Sequence, residues 1–233
     1  MEEILLLLVV FGANVVQALT GFAGTLLSMP LSIKLVGIDT ARIVLNFVSL
    51  FGSAYIMIVD RKNINWKAIK VAAPWLLAGM IAAPVIYSAI DTESIIYIYG
   101  AAIILISLWK MFVKVQMKLP EVTVYLLVAL AGIAQGLFAS GGPFLVVYMS
   151  GHTGNKSEFR TTICTVWVFL CSIFVFQNRQ MITTYDLQLS ALTMLPLFVS
   201  LVLGNLIHKK ISQEKFMKVA YVLLLFSGIS SFL

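Results

Sequence analysis

The chain has 233 residues, 61% of them hydrophobic and 11% charged, with a mean hydropathy of +1.00. A water-soluble domain has nowhere to bury so much apolar surface, and that excludes one. The net charge of +6 does not point to nucleic acid, because the basic residues sit in short stretches between apolar segments, where membrane topology accounts for them.

A membrane-spanning helix needs about 20 predominantly apolar residues. In chain order, windows of that kind predict helices over 4–20, 40–59, 68–90, 94–113, 121–138, 157–177, 186–207 and 217–232. Two shorter apolar pieces, 22–36 and 143–153, are interrupted by Gly, Pro or Ser. The expected fold is an all-α polytopic membrane protein. Met1-Glu2-Glu3 lacks the basic n-region of a cleavable signal, so the first apolar stretch is expected to stay as a helix of the mature protein. Cys164 and Cys171 lie seven apart on one predicted helix, about 10 Å along its axis, too far to bond each other. They read as lipid-facing or packing residues. Neither a metal nor a cofactor is expected.

Displaced by 118 positions, the chain matches itself without a gap: Ala13 with Ala131, Gln17 with Gln135, Gly24 with Gly142, Leu27 with Leu145, Arg42 with Arg160, Phe51 with Phe169 and Arg61 with Arg179. In so apolar a chain the paired Gln and Arg carry more weight than paired Leu or Val. The halves are taken as repeats over 1–116 and 117–233.

Charge placement implies that the repeats are inverted, because cytoplasmic loops collect Lys and Arg. After the 40–59 helix the loop is basic (Arg61, Lys62, Lys67, Lys70) and the next is acidic (Asp91, Glu93). In the second half the order reverses, with Arg179 and Asp186 first and Lys209, Lys210, Lys215 and Lys218 next. The connector with Lys110, Lys114 and Lys118 also reads as cytoplasmic, which places both termini outside. With Lys156 and Arg160 added, inside loops hold 13 of the 16 basic residues, leaving Lys34, Arg42 and Arg179 outside.

Each half carries a Gly-rich break, Thr20-Gly21-Phe22-Ala23-Gly24-Thr25 and Ala139-Ser140-Gly141-Gly142-Pro143. Gly ends a helix, Ser or Thr caps the next, and Pro143 suits a first turn. Non-helical backbone at membrane depth is tolerated only where protein or a water-filled cavity satisfies it, and two such breaks in corresponding positions point to a transporter's central site. Each piece is read either as re-entrant or as a further thin crossing.

A half-helix N-terminus offers free N–H groups and partial positive charge, so two near the midplane would hold a small anion. The expected substrate-binding residues are Asn14, Gln17, Thr20, Gly21, Gly24, Thr25, Asn46 and Ser49 in the first half. In the second they are Gln135, Ser140, Gly141, Gly142, Thr161, Thr162 and Thr165. Arg42 and Arg160 open equivalent helices and are candidates for gating or for attracting anions. The ten carboxylates fall at helix ends or in loops, which argues against cation transport. His152 and His208 are expected at the surface.

At these residues the chain resembles the TauE/SafE family of bacterial sulfite and organosulfonate transporters. Gly21-Phe22-Ala23-Gly24-Thr25-Leu26-Leu27-Ser28-Met29-Pro30 looks like the first copy of its Gly-rich motif, and Gly136-Leu137-Phe138-Ala139-Ser140-Gly141-Gly142-Pro143-Phe144-Leu145 like the second. The resemblance implies a multi-pass secondary carrier of the bacterial inner membrane whose cargo is sulfite, thiosulfate or a small sulfonate or carboxylate. A passive anion channel or structural membrane subunit is the alternative. An intramembrane serine protease built on Ser140 and His152 is disfavoured, since Phe138 stands where that motif has Gly. No Gly-x-x-x-x-Gly-Lys loop suggests direct ATP coupling.

Overall fold

The computed structural model describes residues 2–89 and 120–212, together with isolated positions of 94–108 and 215–229. Among the described residues are eight bounded α-helices: α1 (Glu2–Thr20), α2 (Ala23–Val36), α3 (Ile38–Val59), α4 (Trp66–Ala89), α5 (Glu121–Phe138), α6 (Gly142–His152), α7 (Lys156–Gln177) and α8 (Thr184–Lys210). A single 3-10 turn, Arg61–Asn63, precedes α4. The all-α expectation is met, and six of these helices (α1, α3, α4, α5, α7, α8) are long and apolar enough to cross a membrane. The expected helices at 94–113 and 217–232 lie outside the described residues, apart from isolated helical positions.

Charge-free windows place the helices but trim their ends, because capped first turns are polar. The Asn65 side chain accepts from Ala68 N at 2.9 Å and starts α4 two residues early. Asn155 accepts from Ser157 N and Glu158 N at the head of α7, and Thr183 with Asp186 forms a capping box at the head of α8. That last helix also runs to Lys210, three residues beyond expectation, with His208, Lys209 and Lys210 in its final turn where cations suit the helix dipole.

That extension corrects one expectation. His152 is exposed, but His208 is buried against α1, its Nδ1 3.0 Å from the Leu19 carbonyl oxygen and its Nε2 3.4 Å from Ser157 Oγ. Both cysteines are buried packing residues.

Moved on by 118, the bounds of α3 fall on those of α7, end for end, and α1, α2 and α4 overlie α5, α6 and α8. Packing follows the same exchange: α1 lies against α8, α4 against α5, and α3 against α7. Small residues permit the first two contacts. An ideal Cβ on Gly79 would lie 2.0 Å from Ala129 O, one on Gly132 2.2 Å from Leu76 O, and one on Gly204 2.4 Å from Ala18 Cβ. The equivalent helices α3 and α7 run antiparallel. Arg42, near the start of α3, lies over the ring of Phe174 near the end of α7, and Arg160, near the start of α7, bonds Asp60 just past the end of α3.

Large aliphatic residues such as Ile81, Val85 and Leu195 face outward, while polar residues of the breaks and of α3 and α7 are buried among the helices. That is the arrangement expected of a bundle solvated by lipid.

Candidate functional site

Both breaks form where the sequence places them, and each is braced by its own glutamine. In the first, α1 stops at Thr20 and Gly21 takes a φ of 88°. Thr20 Oγ1 accepts from Phe22 N and Ala23 N at 3.4 and 3.3 Å. Gln17 spans the turn, its Oε1 accepting from Gly24 N at 2.8 Å and its Nε2 donating to Gly21 O at 3.3 Å. In the second break Ala139, the counterpart of Gly21, takes a φ of 51°. Gln135 Oε1 accepts from Gly141 N at 3.3 Å, and its Nε2 donates to the Cys171 sulfur at 3.5 Å. Pro143 sits in the first turn of α6, as expected.

The two breaks meet. An ideal Cβ on Gly142 would lie 3.0 Å from Cδ2 and 3.2 Å from the carbonyl oxygen of Phe22. From the other side, Trp167 Nε1 donates to Gly21 O at 2.9 Å, and the Cys164 thiol donates to the same oxygen. Helix α7 of the second half therefore clamps the break of the first.

The arginines occupy matching positions. Arg42 Nη2 donates to Gly136 O at 2.9 Å; Arg160 Nη1 donates to Ala18 O at 2.9 Å. Gly136 and Ala18 are 118 residues apart, as are the arginines. Beyond that the two surroundings differ. Arg160 is 1% exposed, hydrogen-bonds Asp60 and donates to Asn205 Oδ1. Arg42 has Tyr87 at the position of Asn205, with the guanidinium 4.2 Å from the ring centroid, and meets the exposed Asp39 at 3.6 Å.

The other expected residues divide. Asn14 donates to Val10 O within its own helix, and Thr165 to Thr161 O. Thr162 Oγ1 accepts from Asn65 N, away from the breaks. Thr25, Ser49 and Ser140 are buried, and Ser49 lies within hydrogen-bonding reach of the Cys171 thiol. Asn46 and Thr161 are fully buried, and neither amide atom of Asn46 nor the hydroxyl of Thr161 has a protein partner. A buried polar atom without a partner is costly, which marks these as places a water or a substrate would satisfy.

Three contributors escaped sequence reasoning. Phe22 and Trp167 read as ordinary apolar residues. Asp60 sat in a loop, although its counterpart at 178 is Asn and that break in the repeat was visible.

The sequence profile described as "Sulfite exporter TauE/SafE" matches residues 6–231. The chain belongs to the TauE/SafE family. It is thus a multi-pass membrane transporter and not an enzyme. Among curated proteins it is similar to the "Probable inner membrane transporter protein TsaS" of Comamonas testosteroni, 23% identical over 175 residues, spanning 72% of this chain and 73% of that protein. No solved structure matches it. For a TauE/SafE protein, the match covers both breaks and both arginines, so the geometry described here lies wholly within the family region.

Proposed function

We propose that this chain is a secondary carrier of small anions (sulfite, thiosulfate or small organosulfonates) working by alternating access in the bacterial inner membrane. Its two inverted repeats, 1–116 and 117–233, rock about the paired breaks, and both termini lie outside. The observation that carries this reading is the reciprocal reach of Arg42 and Arg160. Each begins one of two equivalent antiparallel helices and ends on the first-helix carbonyl of the other half. Antiparallel packing of equivalent spanning helices is what a pseudo-two-fold axis in the membrane plane produces.

Arg42, paired only with the exposed Asp39, supplies a buried cation, and Asn46 and Thr161 supply open polar atoms. Gln17 and Gln135 hold the broken backbone so that it needs no water. The name of the similar protein, an inner membrane transporter, agrees with the proposed location.

Uptake of ³⁵S-labelled sulfite, thiosulfate and a small sulfonate into proteoliposomes tests the reading. Saturable uptake of any one supports it; absence of uptake of all three overturns the anion class.

A further inference from the structure

The two halves treat their buried arginines differently, and the difference leaves one arginine short of charge. At Arg160 the position after the end of the facing helix is Asp60, whose carboxylate bonds the guanidinium. At Arg42 the equivalent position is Asn178, whose amide instead donates to the Phe174 carbonyl at 2.9 Å. The carboxylate near Arg42 is Asp39, one turn earlier on the same helix, with a side chain 56% exposed against 26% for Asp60. Exposed pairs of this kind are weak and easily exchanged. Arg42 Nε has no hydrogen bond, although the residue is 5% exposed. Arg160 Nε is likewise unbonded, but there the charge is already matched.

Beside Arg42, Asp39, Ile43, Phe174, Asn178 and Met181 line a shallow recess that, as it stands, has no room for a water molecule. A compact oxyanion would therefore have to take the place of the Asp39 carboxylate, whose exposed side chain can swing into solvent. Its polar groups are one cation, one amide and one displaceable carboxylate.

We infer that Arg42 and Asn178 form a binding site for a small oxyanion, sulfite-like or sulfonate-like, which Asp39 occupies as a competing internal carboxylate when no anion is present. Arg160 is a latch satisfied by Asp60 and takes no substrate. The anion replaces the Asp39 carboxylate on the guanidinium, while Gly136 O continues to hold Nη2 and the Tyr87 ring continues to cover the guanidinium face. The inference rests on the anion-carrier reading above and names the place where that carrier first holds its cargo.

Arg42→Gln risks misfolding by freeing Gly136 O, so the test uses the rim. Binding of ³⁵S-sulfite under nitrogen, and of a small sulfonate, is measured on the full-length purified protein with Asp39→Asn and Asn178→Asp. Removing the competitor in Asp39→Asn tightens binding, and installing the missing carboxylate in Asn178→Asp weakens it. Each change is on the order of tenfold, the size of one charge-assisted hydrogen bond. Wild-type binding with both variants unchanged, or shifted together in one direction, overturns the Arg42 site and leaves the carrier reading standing. A wild type that neither binds nor moves the anions overturns both.

Discussion

Arg160 donates to the carbonyl of Ala18, and its counterpart Arg42 donates to the carbonyl of Gly136, so each half anchors a buried cation on the first helix of the other. Around Arg160 the anchorage is completed by Asp60 and Asn205, which makes that end of the molecule the more firmly closed. Removing one partner of a buried ion pair costs roughly 3–5 kcal/mol, less where the partner is partly exposed. Asp60→Asn is therefore expected to lower thermal stability and slow transport, with Asn178→Asp at the opposite end producing no comparable loss of stability. A scan of unfolding temperature in detergent checks this; an unchanged temperature for Asp60→Asn would show that the pair does not hold the halves together.

Gly142 packs so closely on Phe22 that even a Cβ would be tight and a large side chain would crowd the contact. Gly142→Leu is expected to abolish transport while leaving membrane insertion intact, since the crowding is confined to the contact between the breaks. Protein recovered in the membrane fraction with wild-type flux would remove this contact from the mechanism.

Ala139 sits in left-handed backbone, where an L-residue is disfavoured by roughly 1–2 kcal/mol. Ala139→Gly should relieve part of that strain and raise the unfolding temperature. Gly21→Ala should act in the opposite direction, because the new Cβ meets Arg160 O at 3.0 Å as well as the same backbone penalty. Paired melting curves of the two variants give the sign of each.

Thr161 and Asn46 allow stability and function to be separated. Their polar atoms have no partner, so apolar replacements of similar shape cost little or nothing in folding. Thr161→Val and Asn46→Leu are expected to fold as well as the wild type and to raise the KM for sulfite, each by about tenfold if one hydrogen bond to substrate is lost. Gln17→Leu differs, because the buried Gly24 N loses its partner, although Gly21 O keeps Trp167 and Cys164: folding and transport should fall together. A KM unchanged in both Thr161→Val and Asn46→Leu would move the substrate elsewhere.

Much of the architecture was legible in the sequence because lipid imposes a simple rule on composition. Spanning helices must be apolar and about 20 residues long, and the breaks announced themselves through Gly21, Gly24, Gly141, Gly142 and Pro143. The ends of helices were less legible, since Asn65, Asn155 and Thr183 begin polar first turns that a charge-free window discards.

The site was legible as a set of residue types but not as a set of contacts. Gln17 and Gln135 stood out as a repeated pair, yet a repeat says nothing about whether an amide faces a ligand or its own backbone, and here both brace the breaks. Asp60 and Asn178 were visible as a broken pairing, but their meaning depended on knowing that the end of α3 lies against the start of α7. Ser53, fully buried, follows Asn46 and Ser49 on one helical face at spacings of three and four, a signal that could have added it to the set.

Counterflow tests the central claim, a carrier working by alternating access, most directly. Proteoliposomes are loaded with unlabelled sulfite, diluted, and given a trace of ³⁵S-sulfite outside. A carrier with one site exposed alternately to each side accumulates label transiently above its equilibrium level and then loses it. Label that rises smoothly to equilibrium, indifferent to the sulfite inside, would contradict alternating access and describe a channel.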